Sequence, residues 1–203
     1  MSHPGAPSVR AVCREQLHRF SKESVAEIEL IAGMGVAGDA HAGTLVQHRS
    51  RKKRNPNVVN LRQVHLIHNE LLEQARAAGH DVGPGSMGEN LLTEGLDLLG
   101  LATDTRLLIG ETVLRVTGLR NPCSQINDFS AGLLKVVVKR ADGVPSDSDV
   151  GLGATGGAES VDGAPIRRLA GGMAVVEHGG AIRPGLPIAV MPPPEPHVPL
   201  APV

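Results

Sequence analysis

Short stretches in which apolar and polar residues alternate run along most of the chain, and glycine or proline separates one stretch from the next. The pattern is regular over Val25–Ile31, where Ile28 and Leu30 share one face and Glu27 and Glu29 share the other. A period of two residues is typical of a strand with one buried face. Further strands are predicted at Val9–Val12, Arg62–Ile67, Met173–Val176 and Ile188–Val190.

Two more apolar stretches, Leu107–Ile109 and Val113–Thr117, are separated by a short segment that contains Gly110 and Glu111. A connection of this length joins antiparallel strands, because glycine accepts the positive φ angles that tight turns require. We therefore predict a β-hairpin at this point of the chain.

Helical periodicity is confined to two places. Over Asn69–Ala78 one apolar stripe is present, Asn69 is predicted to be the N-cap, and Gly79 is predicted to end the helix. A single helix over Asn60–Ala78 is the alternative, and periodicity alone does not decide between the two. A second helix is predicted over Asn127–Arg140, although its three consecutive valines disfavour it.

Many short strands, glycine and proline turns and a few short helices favour a mainly β fold, a mostly antiparallel barrel, over an alternating βαβ sheet. We predict one domain over residues 1–191. Within it, residues 141–163 are rich in Gly, Ser, Asp and Ala and are predicted to form a flexible inserted loop. Residues 192–203 are predicted to be an extended, proline-rich tail.

Composition narrows the choice of partner. The 203 residues include 20 Lys or Arg and 21 Asp or Glu, so net charge gives no reason to expect a nucleic acid or an anionic membrane as the main partner. With no Trp, no Tyr and two Phe, base-stacking platforms are excluded. The two cysteines do not form a disulfide framework, and no apolar stretch is long enough to span a bilayer. A cytoplasmic protein is therefore expected.

One of the two cysteines stands in a setting that suits a thiolate. Cys123 follows Pro122 directly and Arg120 by three residues, and the predicted strand ends just before it. Proline cannot donate to a strand ladder, so Cys123 is expected in a loop at a strand end. Positive charge near a thiol stabilises the anion that attacks electrophiles or binds soft metals. The alternative is that Cys123 is a small buried hydrophobic residue.

Five blocks of sequence together resemble the MOSC domain family, whose members are similar to the C-terminal part of molybdenum cofactor sulfurases. Their order and approximate spacing match from about Val9 to Val190. The blocks are Gly38–Gly43 (GDAHAG), Arg62–Ile67 (RQVHLI), Gly85–Leu91 (GSMGENL), Gly118–Cys123 (GLRNPC) and Gly171–Pro184. Two departures are the length of segment 141–163 and Leu186, which stands where the family often has an acidic residue.

The resemblance implies a MOSC-type β-barrel that binds the molybdopterin form of the molybdenum cofactor. The cysteine that matches Cys123 would be the molybdenum ligand or a persulfide sulfur carrier. Asn90 would hydrogen-bond the pterin or an oxo group, while Glu89 would instead cap the backbone of its own loop. The other residues that the resemblance makes candidates for cofactor binding are Arg120, Arg62, Lys22 and His41.

Three hypotheses of function follow. The first is a molybdenum-dependent reductase of N-hydroxylated or N-oxide compounds, which would need a separate electron-donor protein. The second is a carrier that takes sulfur from a donor protein, or holds the cofactor, and hands it on. The third is a hydrolytic zinc site, for which the candidate ligands are Asp39, His41, His65, His68 and Cys123.

Overall fold

A computed structural model describes residues 5–47, 52–53, 55–143, 160–161 and 164–203. Most of the inserted loop predicted over residues 141–163 therefore lies outside the described residues. The strands are β1 (Ser8–Arg14), β2 (Glu23–Val25), β3 (Ile28–Ile31), β4 (Gly35–Val36), β5 (Val64–His68), β6 (Leu91–Glu94), β7 (Arg106–Ile109), β8 (Thr112–Leu119), β9 (Val138–Arg140), β10 (Ser160–Val161), β11 (Ala164–Arg168), β12 (Gly172–His178), β13 (Gly180–Ile182) and β14 (Ile188–Met191). The helices are α1 (Asn69–Ala77), α2 (Gln125–Phe129) and α3 (Leu133–Val137).

The main sheet has eight strands in the order β14-β7-β8-β12-β5-β6-β1-β2. All of its strand pairs are antiparallel except β5 with β6. The sheet curls so that β1 meets the residues before β14, where the Val9 N–H donates to the Leu186 carbonyl at 2.9 Å and the Ile188 N–H donates to the Pro7 carbonyl at 2.8 Å. We call this junction the seam. The predicted strand-rich, mostly antiparallel fold is thus confirmed.

Two apolar cores lie on opposite faces of the main sheet. One fills the curled interior and includes Leu66, Leu107 and Val116. The other packs the helices against the outer face and includes Ile67 and Leu71. Strand β5 contributes to both cores, which explains why its apolar residues are buried without alternation.

The predicted hairpin is confirmed, since β7 and β8 pair around Gly110, whose φ is 59°. The single predicted strand Val25–Ile31 is wrong, because its residues form β2 and β3 in two different sheets. Strand β2 pairs with β1, whereas β3 pairs with β4 and β13. A period of two does not show where a chain changes its sheet partner.

The helix predictions need three corrections. The first helix begins at Asn69 and its N-cap is His68, so the cap assignment to Asn69 is wrong. The alternative helix over Asn60–Ala78 is also wrong, because β5 occupies part of that range. The helix predicted over Asn127–Arg140 is replaced by α2, α3 and β9. Gly132 stands between the two helices with a φ of 86°, which an α-helix does not accommodate.

The C-terminal segment lies on the end of β8. The Leu119 N–H donates to the Ala201 carbonyl at 2.8 Å, and the Val203 N–H donates to the Leu119 carbonyl at 3.2 Å. Gly118 permits this approach, because a Cβ at that position would overlap the Ala201 carbonyl oxygen. The extended tail is therefore held directly before the Arg120–Cys123 loop.

None of the helices in the described ranges has the length and apolar character needed to cross a bilayer.

Candidate functional site

Cys123 lies in the loop between β8 and α2, as the sequence predicts for a cysteine after a strand-ending proline. Pro122 is buried and Cys123 is half-buried. The Cys123 Sγ lies 3.7 Å from Gln125 Oε1, and the Cys123 carbonyl accepts a hydrogen bond from the Ile126 N–H at 3.1 Å. The loop thus fixes the backbone of the cysteine and leaves part of its side chain accessible.

Arg120 precedes this cysteine and is buried, with 8% of its surface exposed. Its N–H donates to the Gly171 carbonyl at 2.9 Å, while its guanidinium nitrogen Nη1 is buried and has no hydrogen-bond partner. Burial lowers the pKa of Arg120, and the nearby Cys123 and Glu89 oppose that shift. An unpartnered N–H in a buried cation is costly unless an anion or an acceptor occupies the adjacent space.

The two aromatic side chains of the chain meet beside Arg120. The rings of Phe20 and Phe129 lie 5.6 Å apart, and the Arg120 guanidinium stands 5.9 Å from the centre of the Phe20 ring. Phe129 is 39% exposed. Sequence reasoning missed this cluster, since Phe20 and Phe129 are far apart in sequence and neither lies in a motif.

Glu89 holds the glycine-rich loop that precedes β6. Its two carboxylate oxygens accept hydrogen bonds from the Gly85 N–H at 2.5 Å and from the Met87 N–H at 3.2 Å. The side chain is fully buried, and this burial raises the pKa of Glu89, while backbone hydrogen bonds and the charge of Arg120 oppose the shift. Glu89 therefore caps its own loop, as the sequence predicts.

His65 lies between this loop and Arg120. Its Nε2 is 2.9 Å from the Ala170 carbonyl oxygen, so Nε2 carries the proton and donates it. Burial and the nearby charge of Arg120 lower the pKa of His65 well below its usual range, although hydrogen bonds to the backbone at Ala170 and Gly88 oppose the shift. His65 is a neutral, internally bonded side chain.

A second polar group lies next to it, around Asp39. The Lys22 ammonium donates to Asp39 Oδ2 at 2.6 Å, and the Asn90 amide nitrogen donates to the same oxygen at 3.0 Å. The His41 N–H donates to Asp39 Oδ1 at 2.9 Å, and the His41 ring nitrogen Nδ1 lies 3.2 Å from the same Oδ1. The Asn90 side chain also donates to the Cys13 carbonyl and accepts from the His65 N–H. This amide therefore connects the Asp39 group to the Arg120 side of the site.

Burial and neighbouring charges act in opposite directions on the pKa values of Asp39 and Lys22. Burial alone would raise the pKa of Asp39, but hydrogen bonds from His41 and the charge of Lys22 outweigh it and hold that pKa below its ordinary value. Burial lowers the pKa of Lys22, and the nearby Asp39 opposes the shift. Lys22 is 7% exposed and its ammonium is already bonded to a carboxylate.

The predicted site residues thus fall into three places. Arg120 and Cys123 lie together, and Lys22, His41 and Asn90 surround Asp39. The Arg62 N–H donates to Asn60, whose side-chain amide donates to the His41 carbonyl. Arg62 lines a cavity of about 160 Å³, together with apolar residues such as Val46 and Val58. The cofactor roles predicted for Arg62, Lys22, His41 and Asn90 remain predictions.

Arg168 is a further cation that sequence reasoning did not select. Its Nε donates to Asn121 Oδ1 at 3.1 Å, so β11 supplies a guanidinium to the residue directly before Pro122. The Arg167–Arg168 pair was visible in the sequence, but nothing in its spacing indicates which loop it would meet.

Cys13 provides the contrast with Cys123. It is fully buried, and burial raises the pKa of its thiol to about 12, with a smaller contribution from Glu89. A thiol of this kind is not a nucleophile at neutral pH.

The described residues include no group of three or more His, Cys, Asp or Glu side chains that could hold a metal ion. The zinc hypothesis is therefore wrong for the candidate ligands Asp39, His41, His65, His68 and Cys123. A molybdenum held by a pterin dithiolene needs fewer protein ligands than zinc, because one soft thiolate from the protein is enough. The accessible Cys123 and the unpartnered Arg120 nitrogen fit that group and its phosphate.

Known proteins resemble this chain in sequence family and in fold. A family model described as MOSC domain matches residues 39–189. The structure is similar to that of the YuaD protein from Bacillus subtilis, with a TM-score of 0.66 and 19% identity, covering 94% of this chain and 98% of that one. It is also similar to YiiM from Escherichia coli, with a TM-score of 0.53 and 19% identity, covering 94% of this chain and 73% of that one. A comparison with curated proteins gives no match.

Proposed function

The chain belongs to the MOSC domain family, whose model matches residues 39–189, and we propose that it binds the molybdenum cofactor with Cys123 as the molybdenum ligand. We further propose that the loaded protein reduces N-hydroxylated or N-oxide compounds. The observation that carries the proposal is the buried Arg120 guanidinium, which has an unpartnered nitrogen three residues before the accessible Cys123.

Arg120 would bind an anionic part of the cofactor, namely its phosphate. A guanidinium offers N–H donors in a fixed planar arrangement that matches phosphate oxygens, and a buried one gains more from such a bond than an exposed one. The Arg120 N–H is fixed by the Gly171 carbonyl, and the Phe20 ring lies against the guanidinium, so its position is set before a ligand arrives. Arg168, through Asn121, adds positive charge to the same loop.

Cys123 would supply the soft sulfur ligand, and its loop would present that sulfur. When bound there, molybdenum in a pterin dithiolene would supply two-electron redox chemistry. Reduction of an N-hydroxy compound to the amine breaks the N–O bond, consumes two electrons and two protons, and releases water. The electrons would come from a separate reduced flavoprotein or iron–sulfur protein.

The proposal can be tested by producing the protein in a host that makes the cofactor. We expect the purified protein to contain molybdenum and to reduce N-hydroxy compounds in a reaction that requires Cys123. Reduced methyl viologen would serve as the artificial electron donor. Molybdenum would be measured by mass spectrometry, and the amine product by chromatography. Metal-free protein from that host, or a loaded Cys123→Ser variant with full turnover, would contradict the proposal.

Sulfur transfer is the second candidate function, and the partial exposure of Cys123 favours it. A persulfide on this cysteine could reach the active site of an acceptor protein from the loop, without a change in the barrel. Incubation with a cysteine desulfurase and cysteine would then add the mass of one sulfur atom to the wild type and not to Cys123→Ser. Bound molybdenum without turnover, together with such a persulfide, would favour the carrier over the reductase.

A further inference from the structure

A second cavity, whose lining does not include Cys123, lies between the start of α1 and the segment after β6. Its volume is about 310 Å³, and its polar lining comprises His68, Glu70 and Asp97. Leu96 and Leu98, which are 7% and 1% exposed, form part of its apolar wall. A cavity of this size lies at the lower end of the range for small-molecule pockets.

Two polar atoms of this lining are buried and have no hydrogen-bond partner, Nδ1 of His68 and Oε2 of Glu70. The other oxygen of Glu70 accepts the Gly95 N–H at 2.8 Å, which fixes the carboxylate in place. Asp97 Oδ1 accepts the Gly100 N–H at 3.1 Å. Buried polar atoms in native proteins normally have partners, so the two unpartnered atoms need an explanation.

The charge of the cavity indicates what that partner is. None of the ion pairs among the described residues includes Glu70 or Asp97. Burial lowers the pKa of His68, while the charges of Glu70 and Asp97 oppose the shift, so the imidazole adds no positive charge at neutral pH. The cavity therefore holds two carboxylates, half-buried Glu70 and exposed Asp97, that form no ion pair with a cation of the described residues.

We propose that this cavity is a binding site for a small organic cation that carries N–H groups, an amine or an amidine. Such a ligand would donate to Glu70 Oε2 and to His68 Nδ1, and its hydrocarbon part would pack against Leu96 and Leu98. A metal ion fits less well, because no group of three metal-binding side chains exists among the described residues. The proposal is independent of the cofactor binding proposed for Cys123.

Isothermal titration calorimetry of the protein with benzamidinium tests the proposal. We expect saturable binding, and no binding of benzamide, which has the same shape without the charge. Glu70→Gln is expected to weaken binding at least tenfold, because it removes the charge and keeps an oxygen for the Gly95 N–H. Glu94→Gln is the matched control, since this exposed carboxylate at the end of β6 lies outside the cavity lining, and it is expected to bind normally.

Thermal melting of each variant checks that it folds, and Asp97→Asn replaces Glu70→Gln if the latter does not. The imidazole ¹⁵N signals of His68 are expected to shift on addition of benzamidinium and to stay unchanged with benzamide. Equal binding of benzamide, unchanged binding by Glu70→Gln or by its replacement Asp97→Asn, or no binding of benzamidinium at millimolar concentration would each overturn the proposal. So would Zn²⁺ or Mn²⁺ binding that depends on Glu70 and excludes benzamidinium.

Discussion

The ammonium of Lys22 and the carboxylate of Asp39 form a buried ion pair at 2.6 Å, with side-chain exposures of 3% and 1%. Asp39 also accepts hydrogen bonds from the Asn90 side-chain amide and from the backbone N–H of His41. It therefore lies at the centre of the polar group beside His65. In the sequence the two residues looked like separate candidates for ligand binding or for metal binding. In the structure the ammonium and the carboxylate neutralise each other.

Asp39→Asn is expected to destabilise the fold by about 3 kcal/mol, because it leaves the Lys22 charge buried without its partner. Urea denaturation followed by circular dichroism measures this change. Glu177→Gln provides the control, since Glu177 pairs with Arg106 and Arg115 near the surface, where each such pair contributes roughly 0–1 kcal/mol. Equal losses in the two variants would contradict a special role for the buried pair.

The same pair gives the protein an acid sensitivity of known sign. The folded-state pKa of Asp39 lies below its ordinary value of 3.8, so the folded state binds fewer protons than the unfolded state in that interval. The stabilisation of the fold by the ionised Asp39 carboxylate is complete above its ordinary pKa and is lost as the pH falls toward its lower, folded-state pKa. Denaturation midpoints between neutral pH and pH 2 should therefore fall more steeply for the wild type than for Asp39→Asn.

The two cysteines are expected to behave oppositely. A thiol reagent such as Ellman's should label one thiol of the native protein, because Cys123 is accessible whereas Cys13 is buried and its pKa is about 12. Cys123→Ser should abolish labelling and molybdenum retention without unfolding the protein. Cys13→Ser should keep both the labelling at Cys123 and the molybdenum retention. Rapid labelling of Cys13 in the folded state would contradict its assignment as a buried, unreactive thiol.

Arg120→Met separates cofactor binding from stability. The variant keeps a long side chain and removes a buried cation with an unpartnered nitrogen, so the cofactor-free fold should be as stable as the wild type or more so. Molybdenum retention after gel filtration should fall at least tenfold, through loss of a charge-assisted hydrogen bond. A loss of stability with normal retention would assign Arg120 to the core instead.

Gly118→Ala is expected to release the C-terminal segment from β8, because the added Cβ would lie 2.6 Å from Val203 Cγ1 and would overlap the Ala201 carbonyl. Hydrogen exchange at the Leu119 amide, which donates to Ala201, should then become faster by an order of magnitude or more. Gly83→Ala is the matched control, because a Cβ at Gly83 has no neighbour within 4 Å. Unchanged exchange in Gly118→Ala would show that the contact is dispensable.

The fold and the site were predictable from sequence to different degrees, for physical reasons. The β7–β8 hairpin and the loop position of Cys123 depend on local turn chemistry, which neighbouring residues carry. The break at Gly132 also has a local cause, a positive φ, but a helical pattern does not reveal it. The contacts of Arg120 with Phe20 and of Arg168 with Asn121 join distant segments, and only the folded chain brings them together.

The seam also constrains how the protein is made. It joins Val9 to Leu186, so the curled sheet cannot close until nearly all of the described chain has left the ribosome. At 5–20 residues per second, synthesis leaves the first strand waiting roughly 10 to 35 s for its last neighbour. During that interval the open edge of β1 is exposed to pairing with other nascent chains. Chaperone demand and yield in overexpression should therefore respond to translation speed late in the message.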